Sequence, residues 1–365
     1  MNNLLSFLFL FSLFTNFSFA LIPFQDAAFP ELATSARALG MGNAFLCKVD
    51  DAHSAFYNPA GLGTVRWGHF HLTNLHVELN DGLMKTALGG SSSSSSNIGQ
   101  AFSLDGSRQI LLEKKGTLTH SRIQAIPNIT FRYLSAGFLY SLQSKATIGL
   151  ENNAKFEFSS RLDYGPFVAG NLSVFGGVLK VGASAILLTR KEIIDELDSS
   201  QPVELVSSDF GYGRALIYNV GGRITLPIVW LPTLAGVIHN FNKTPFTNLD
   251  DHAPETIKSS MDLGFSLTPQ ISDSVRVHLE VNYKDFNKQF PDVVIMRKIL
   301  AGIEIDFIRH IFLRFGYGDG FGSAGIGMRY KRLETDITTY AVDTTANGFR
   351  GKEDRRFVFS LSSGF

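Results

Sequence analysis

From Ile123 to the carboxy terminus the chain repeats one pattern, apolar and polar side chains alternating with a period of two. In residues 275–284, Val275, Val277, Leu279, Val281 and Tyr283 oppose Arg276, His278, Glu280, Asn282 and Lys284. In residues 260–268, Met261, Leu263, Phe265 and Leu267 oppose Asp262, Gly264 and Ser266. Ala154, Phe156, Phe158 and Leu162 likewise oppose Lys155, Glu157, Arg161 and Asp163. Ile299, Ala301, Ile303, Ile305 and Phe307 oppose Lys298, Glu304 and Asp306, and Ile311, Leu313, Phe315 and Tyr317 oppose His310 and Arg314. Successive side chains of a strand point to opposite faces, so each segment is a strand with one apolar face. Segments of about ten residues are long enough to cross a bilayer when tilted.

A soluble sandwich also alternates. The polar face argues against one. Five consecutive large polar side chains between Arg276 and Lys284 need partners or water, which the interior of a wide barrel supplies. The apolar face then meets lipid, and no further element has to cover it. Only a closed barrel satisfies every backbone polar group in lipid without helices. Fourteen strands are expected, near 66–79, 120–132, 135–147, 152–174, 178–193, 214–228, 233–243, 256–268, 274–285, 296–307, 310–318, 322–332, 333–342 and 354–365. The even number suits antiparallel closure. Spanning helices fit poorly: residues 224–238 are too short and carry Pro227 and Pro232, and residues 167–188 carry Asn171, Gly176, Gly177 and Lys180. Both read as strand–turn–strand.

The two ends of the chain carry other signals. Residues 1–20 have an apolar run from Leu4 to Phe14 and Ser18-Phe19-Ala20 at its end, the pattern of a secretory signal cleaved before Leu21, although no Lys or Arg precedes the run. At the other end Phe357, Phe359, Leu361 and Phe365 share one face of a strand that closes on an aromatic. It looks like the strand by which the barrel-assembly machinery recognises outer-membrane proteins. Between them, residues 81–117 form a Ser-rich loop, with six serines at 91–96 and a short amphipathic helix expected within 103–115.

Little else points to chemistry. Lys+Arg and Asp+Glu are both 33, so the net charge of zero offers nothing to nucleic acid. The one cysteine, Cys47, excludes an internal disulfide and reads as a small buried residue. Residues 320–325 match the dinucleotide G-x-G-x-x-G, but an alternating strand follows instead of a helix, so a tight hairpin is expected. No nucleophile elbow and no H-E-x-x-H occur. His69 and His71 would share a strand face with His76 on the other, which argues against a metal site. Asp51 is read as capping a short helix that ends at Tyr57. No catalytic residue, metal or cofactor is assigned.

The stretch unlike the rest is the Ala/Gly-rich segment at 35–63. Ala36-Arg-Ala-Leu-Gly40, followed by Asp50-Asp51 and Phe56-Tyr-Asn-Pro-Ala-Gly61, resembles the amino-terminal segment of the FadL-type (OmpP1/TodX-like) outer-membrane proteins and of the related PorV-like group. The resemblance is sharp over about thirty residues and architectural elsewhere. It implies an all-β transmembrane barrel of about fourteen strands (residues 64–365) plugged by a small helical or irregular hatch (residues 21–63) in its lumen. It also implies passive uptake of hydrophobic small molecules, such as long-chain fatty acids or hydrocarbons, and no enzymatic activity. Expected partners are outer-membrane lipids, the assembly machinery and that ligand. In this reading Gly40 and Gly42 let the hatch pack closely on the wall, and Asn58, Pro59, Ala60 and Gly61 turn the chain into the first strand. Three alternatives stand beside it: a PorV-like barrel that docks secreted partner proteins, a structural barrel without transport, and an outer-membrane hydrolase with a Ser–His pair on its outer wall.

Overall fold

The computed structural model describes residues 32–65, 68–88, 103–149, 155–249, 252–345 and 348–364. The proposed leader, the serine run and Phe365 lie outside them. Fourteen antiparallel strands close on themselves. They are β1 His69–Asn80, β2 Leu118–Ala125 continued by Asn128–Thr130, β3 Leu134–Ile148, β4 Lys155–Val174, β5 Leu179–Asp198, β6 Gly211–Thr225, β7 Thr233–His239, β8 Ser260–Leu267, β9 Val275–Tyr283, β10 Ile299–Phe307, β11 Ile311–Gly318, β12 Phe321–Tyr330, β13 Leu333–Asp343 and β14 Glu353–Gly364. A two-residue strand, Thr247–Asn248, adds to β6. Closure is made by β1 against β14, with Leu75 opposite Leu361 and Leu79 opposite Phe357.

The alternation decides what faces where. Leu279 and Val281 of β9 are exposed on the outside, while His278, Glu280 and Asn282 are buried within the lumen. Residues 319–320 make a two-residue turn with both φ positive (50° and 90°), so Gly320 serves the hairpin that joins β11 to β12. Connections 131–133, 175–178, 226–232, 268–274, 308–310 and 331–332 lie at one end and are short. Those at the other end are longer, apart from 149–154 and 319–320. Barrels of this kind put short turns in the periplasm and long loops outside, which orients the molecule.

Two expectations about the faces need correcting. Phe156 and Phe158, at the extracellular end of β4, are fully buried. Two helices lie between β1 and β2, α3 Asp81–Leu88 and α4 Leu104–Glu113, and α4 covers the two phenylalanines through Leu111, together with Ala146, Ile148 and Ile193. The apolar face therefore does not meet lipid there. The lumen is also not uniformly charged: Leu139, Phe167, Ala169, Ile186, Leu188, Ala215 and Ile217 point inward on β3 to β6. A third correction concerns the histidines. A bulge between His71 and Thr73 shifts the register of β1, so His71 and His76 both face inward.

Candidate functional site: the plugged lumen

Residues 32–65 fill the middle of the barrel as two short helices, α1 Ala36–Gly40 and α2 Ser54–Tyr57, and a 3₁₀ turn, Pro59–Thr64. With four or five residues each, the helices have little stability of their own and depend on the wall. Two different halves of the wall hold them.

On one half the contact is apolar. Met41, Phe45, Phe56, Tyr57 and Leu62 of the hatch form a single cluster with Ile126, Leu139, Phe167, Ile186, Leu188 and Ile217 of the wall. Phe56 meets Phe167 edge-on, with ring centroids 5.1 Å apart. Cys47 is buried beside Ala235 and Val237.

On the other half the contact is ionic. Arg37 lies 2.9 Å from Asp50 and 3.3 Å from Asp51 within the hatch, and 4.0 Å from Glu304 of β10. Lys48 also reaches Glu304, at 3.2 Å. Glu304 in turn receives Arg314 at 2.8 Å, and Arg314 pairs with Asp336 at 2.5 Å. Burial alone would push the Asp50 carboxyl up; Arg37 and Lys48 outweigh it and hold the group below the usual carboxylate range. Asp51 also accepts the His53 N–H at 2.9 Å, so it caps the turn just ahead of α2, and His53 occupies the N-cap position itself.

Wall side chains satisfy the hatch backbone, as a buried irregular segment requires. Gln124 and Thr34 exchange two hydrogen bonds, of 3.0 and 2.8 Å. Ser184 and Asn219 donate to the Ala55 carbonyl, Asn171 donates to that of Ala60, and Thr338 to that of Ala36. Glu280 accepts from the Cys47 N–H at 2.8 Å.

The glycines set how close the two bodies come. Gly42 has φ +64°, and a Cβ there would sit 2.4 Å from the Tyr317 backbone. A Cβ at Gly40 would stand 3.3 Å from Arg314. Facing them, Cβ atoms on Gly302, Gly316 or Gly318 would strike the Met41–Gly42 backbone. Gly182 and Gly221, register partners on β5 and β6, make the same room for Asn58 and Pro59. Asn58 caps the 3₁₀ turn by accepting the Ala60 N–H at 3.1 Å, and its amide donates to Leu46 and Gly222 carbonyls. Gly61 is packed against Val49 of the hatch itself. These mid-strand wall glycines went unnoticed in the sequence; the signal was their position inside otherwise alternating strands, where Gly weakens pairing.

Among the described residues, three cavities flank the hatch. Two, of about 70 and 80 Å³, lie on the extracellular side of the hatch, lined respectively by Leu39, Phe321 and Val342 with Arg122 and Arg161, and by Leu32, Phe56 and Ile217 with Lys258 and Lys284. The third is a vestibule of about 580 Å³ on the periplasmic side. The hatch separates it from the other two. Ser362 lies 2.6 Å from His71 on the vestibule side of the wall, which is not where an outer-wall hydrolase would carry its pair.

A closed fourteen-strand barrel around an amino-terminal plug has counterparts of known structure. The CymD monoaromatic hydrocarbon channel superposes with a TM-score of 0.54 at 11% identity, over 92% of this chain and 98% of that one. The chain shares the FadL-type barrel fold. The P. putida toluene transporter TodX gives 0.53 at 11% identity, and the Ralstonia pickettii toluene transporter TbuX gives 0.50 at 12%, each over 92% of this chain and 99% of the other. No family model and no curated protein sequence matches this chain, so the likeness is one of fold.

Proposed function

We propose that this FadL-type barrel lies in the bacterial outer membrane and admits a hydrophobic small molecule along the seam between the hatch and the apolar half of the wall. The observation that carries this reading is that seam. A barrel conducting water-soluble solutes lines its interior with polar groups, whereas here β2 to β6 turn Ile126, Phe167, Ile186 and Ile217 inward. The seam reaches the one place where β2 is interrupted, between Ala125 and Asn128, and Ile126 belongs to both. A molecule following it would leave sideways into the bilayer. The printed descriptions of the structural neighbours, a hydrocarbon channel and toluene transporters, agree with such a cargo. The reading includes a cleaved leader at 1–20 and a hatch at 21–63. It assigns packing to Gly40 and Gly42, the exit turn to Asn58, Pro59, Ala60 and Gly61, and the assembly signal to Phe357, Phe359, Leu361 and Phe365.

Docking of a secreted protein is the second reading. It is favoured by the ionic anchoring of the hatch and by the ordered helix α4 at the extracellular end.

The single native cysteine separates the two. A Cβ at Gly264 would lie 3.3 Å from Cys47 Sγ, close enough for Gly264→Cys to form a disulfide once the Asn282 amide swings aside. The bond would lock the hatch to β8. Uptake of labelled toluene or oleate by cells carrying the variant should fall at least tenfold on oxidation and return on reduction. Equal rates in both states would exclude passage past a moving hatch. Wild-type uptake no faster than in cells lacking the protein would overturn transport and leave the docking and purely structural readings.

A further inference from the structure

The periplasmic vestibule has no role in carrying a hydrophobic molecule along the seam, yet it is strongly built. Its lining holds nine Lys and Arg residues and five Asp and Glu. Four of the acids are already committed: Asp50, Asp51 and Glu304 to Arg37 and Lys48, and Glu334 to Arg329. The unmatched positive charge includes Lys180 and Arg223, which are direct register partners across β5 and β6. Like charges directly opposite on an antiparallel pair oppose its formation. Among the described residues, no carboxylate lies within 4.0 Å of either side chain.

The Lys180 side chain is buried, and its ammonium is held toward the vestibule floor by the Gly177 carbonyl. Among the described residues, Arg223 hydrogen-bonds only the Thr64 hydroxyl, at 3.4 Å, and its Nε is buried with no hydrogen-bond partner. An orphaned guanidinium nitrogen beside a buried ammonium is costly unless something anionic joins them. The guanidinium fork matches a tetrahedral oxyanion, and the ammonium adds a point charge.

We infer that Lys180 and Arg223 form a binding site for a small phosphate-type oxyanion that enters from the periplasm. Both side chains face the lumen, so lipid headgroups in the bilayer do not reach them. Arg276 lines the same cavity and adds to the field that draws an anion in. Because Arg223 also touches Thr64, the last residue of the hatch's 3₁₀ turn, the bound anion ties the hatch exit to the wall. The site does not depend on what crosses the hatch.

The test is calorimetric titration of the full barrel in detergent with inorganic pyrophosphate, against sodium chloride at matched ionic strength. Saturable binding is expected for pyrophosphate alone. Arg223→Gln and Lys180→Gln should each weaken it at least tenfold, and Arg223→Lys, which keeps the charge and loses the fork, should fall between. Arg309→Gln, which removes another vestibule cation, should leave affinity within twofold. The heat-dependent shift in gel mobility verifies folding of each variant; should Arg223→Gln not fold, Lys180→Gln carries the test. Equal heats with chloride, unchanged binding in the Gln variants, or an equal loss in Arg309→Gln would each overturn the site.

Discussion

Glu304 is the residue on which the hatch's ionic anchoring converges. It is 1% exposed, accepts Arg314 at 2.8 Å and forms ion pairs with Lys48 at 3.2 Å and Arg37 at 4.0 Å. Removing one partner from such a cluster leaves buried charges uncompensated, which costs about 3 kcal/mol. Glu304→Gln is therefore expected to loosen the hatch while the strand ladder stays intact. Limited proteolysis in detergent checks it: cleavage at Arg37 or Lys48 should appear in the variant at trypsin levels that spare the wild type, with the heat-dependent mobility shift unchanged. A hatch as protected as before would show that the apolar half alone holds it. The polar identity of this position was plain in the alternation of 299–307. Its three partners were not, because they come from the hatch and from β11, and no local spacing brings those together.

At the scale of elements, β4 and β5 stand out with 20 residues each. Their extracellular ends carry Phe156, Phe158 and Ile193, which would be bare above the membrane without α4. Ser103 starts that helix by accepting the Gly106 N–H at 3.1 Å. Leu111 supplies its buried contact. Leu111→Ala removes a fully buried side chain at a cost of about 3 kcal/mol. The cost falls on a surface element, so α4 should detach while the barrel persists. Trypsin added to intact cells is then expected to cut at Lys114 and Lys115 at levels that leave the wild type uncut. Unchanged resistance would mean that Leu104 and the 203–210 segment suffice as cover. A helix within 103–115 was readable from its amphipathic spacing. Its destination was not, since Phe156 and Phe158 alternate just as lipid-facing residues do.

The whole molecule has a direction. Short connections gather at one end and long ones at the other, which places 199–210 outside the cell and 268–274 in the periplasm. Native Cys47 is buried, so introduced cysteines report alone. Ser200→Cys should react with a membrane-impermeant maleimide on intact cells, and Ser272→Cys only after the outer membrane is permeabilised. The reverse pattern would invert the barrel and move the cationic vestibule to the outside.

Strand number, closure and the inward face of β8 to β14 followed from the sequence, because a period of two is a local property and lipid enforces it over every spanning segment. The tertiary structure alone decided how the lumen is divided. Phe167 and Ile186 are apolar yet sit on the same inward parity as the charged Asp163 and Arg190, and only the hatch pressed against them explains why. The β1 bulge that brings His71 and His76 to one side also left no mark in the pattern. Likewise Gly182, Gly221, Gly302, Gly316 and Gly318 read as weak points of their strands until Met41, Gly42, Asn58 and Pro59 are seen to occupy the space where their side chains would be. Such complementarity joins residues up to hundreds of positions apart, and it exists only once the barrel has closed around its plug.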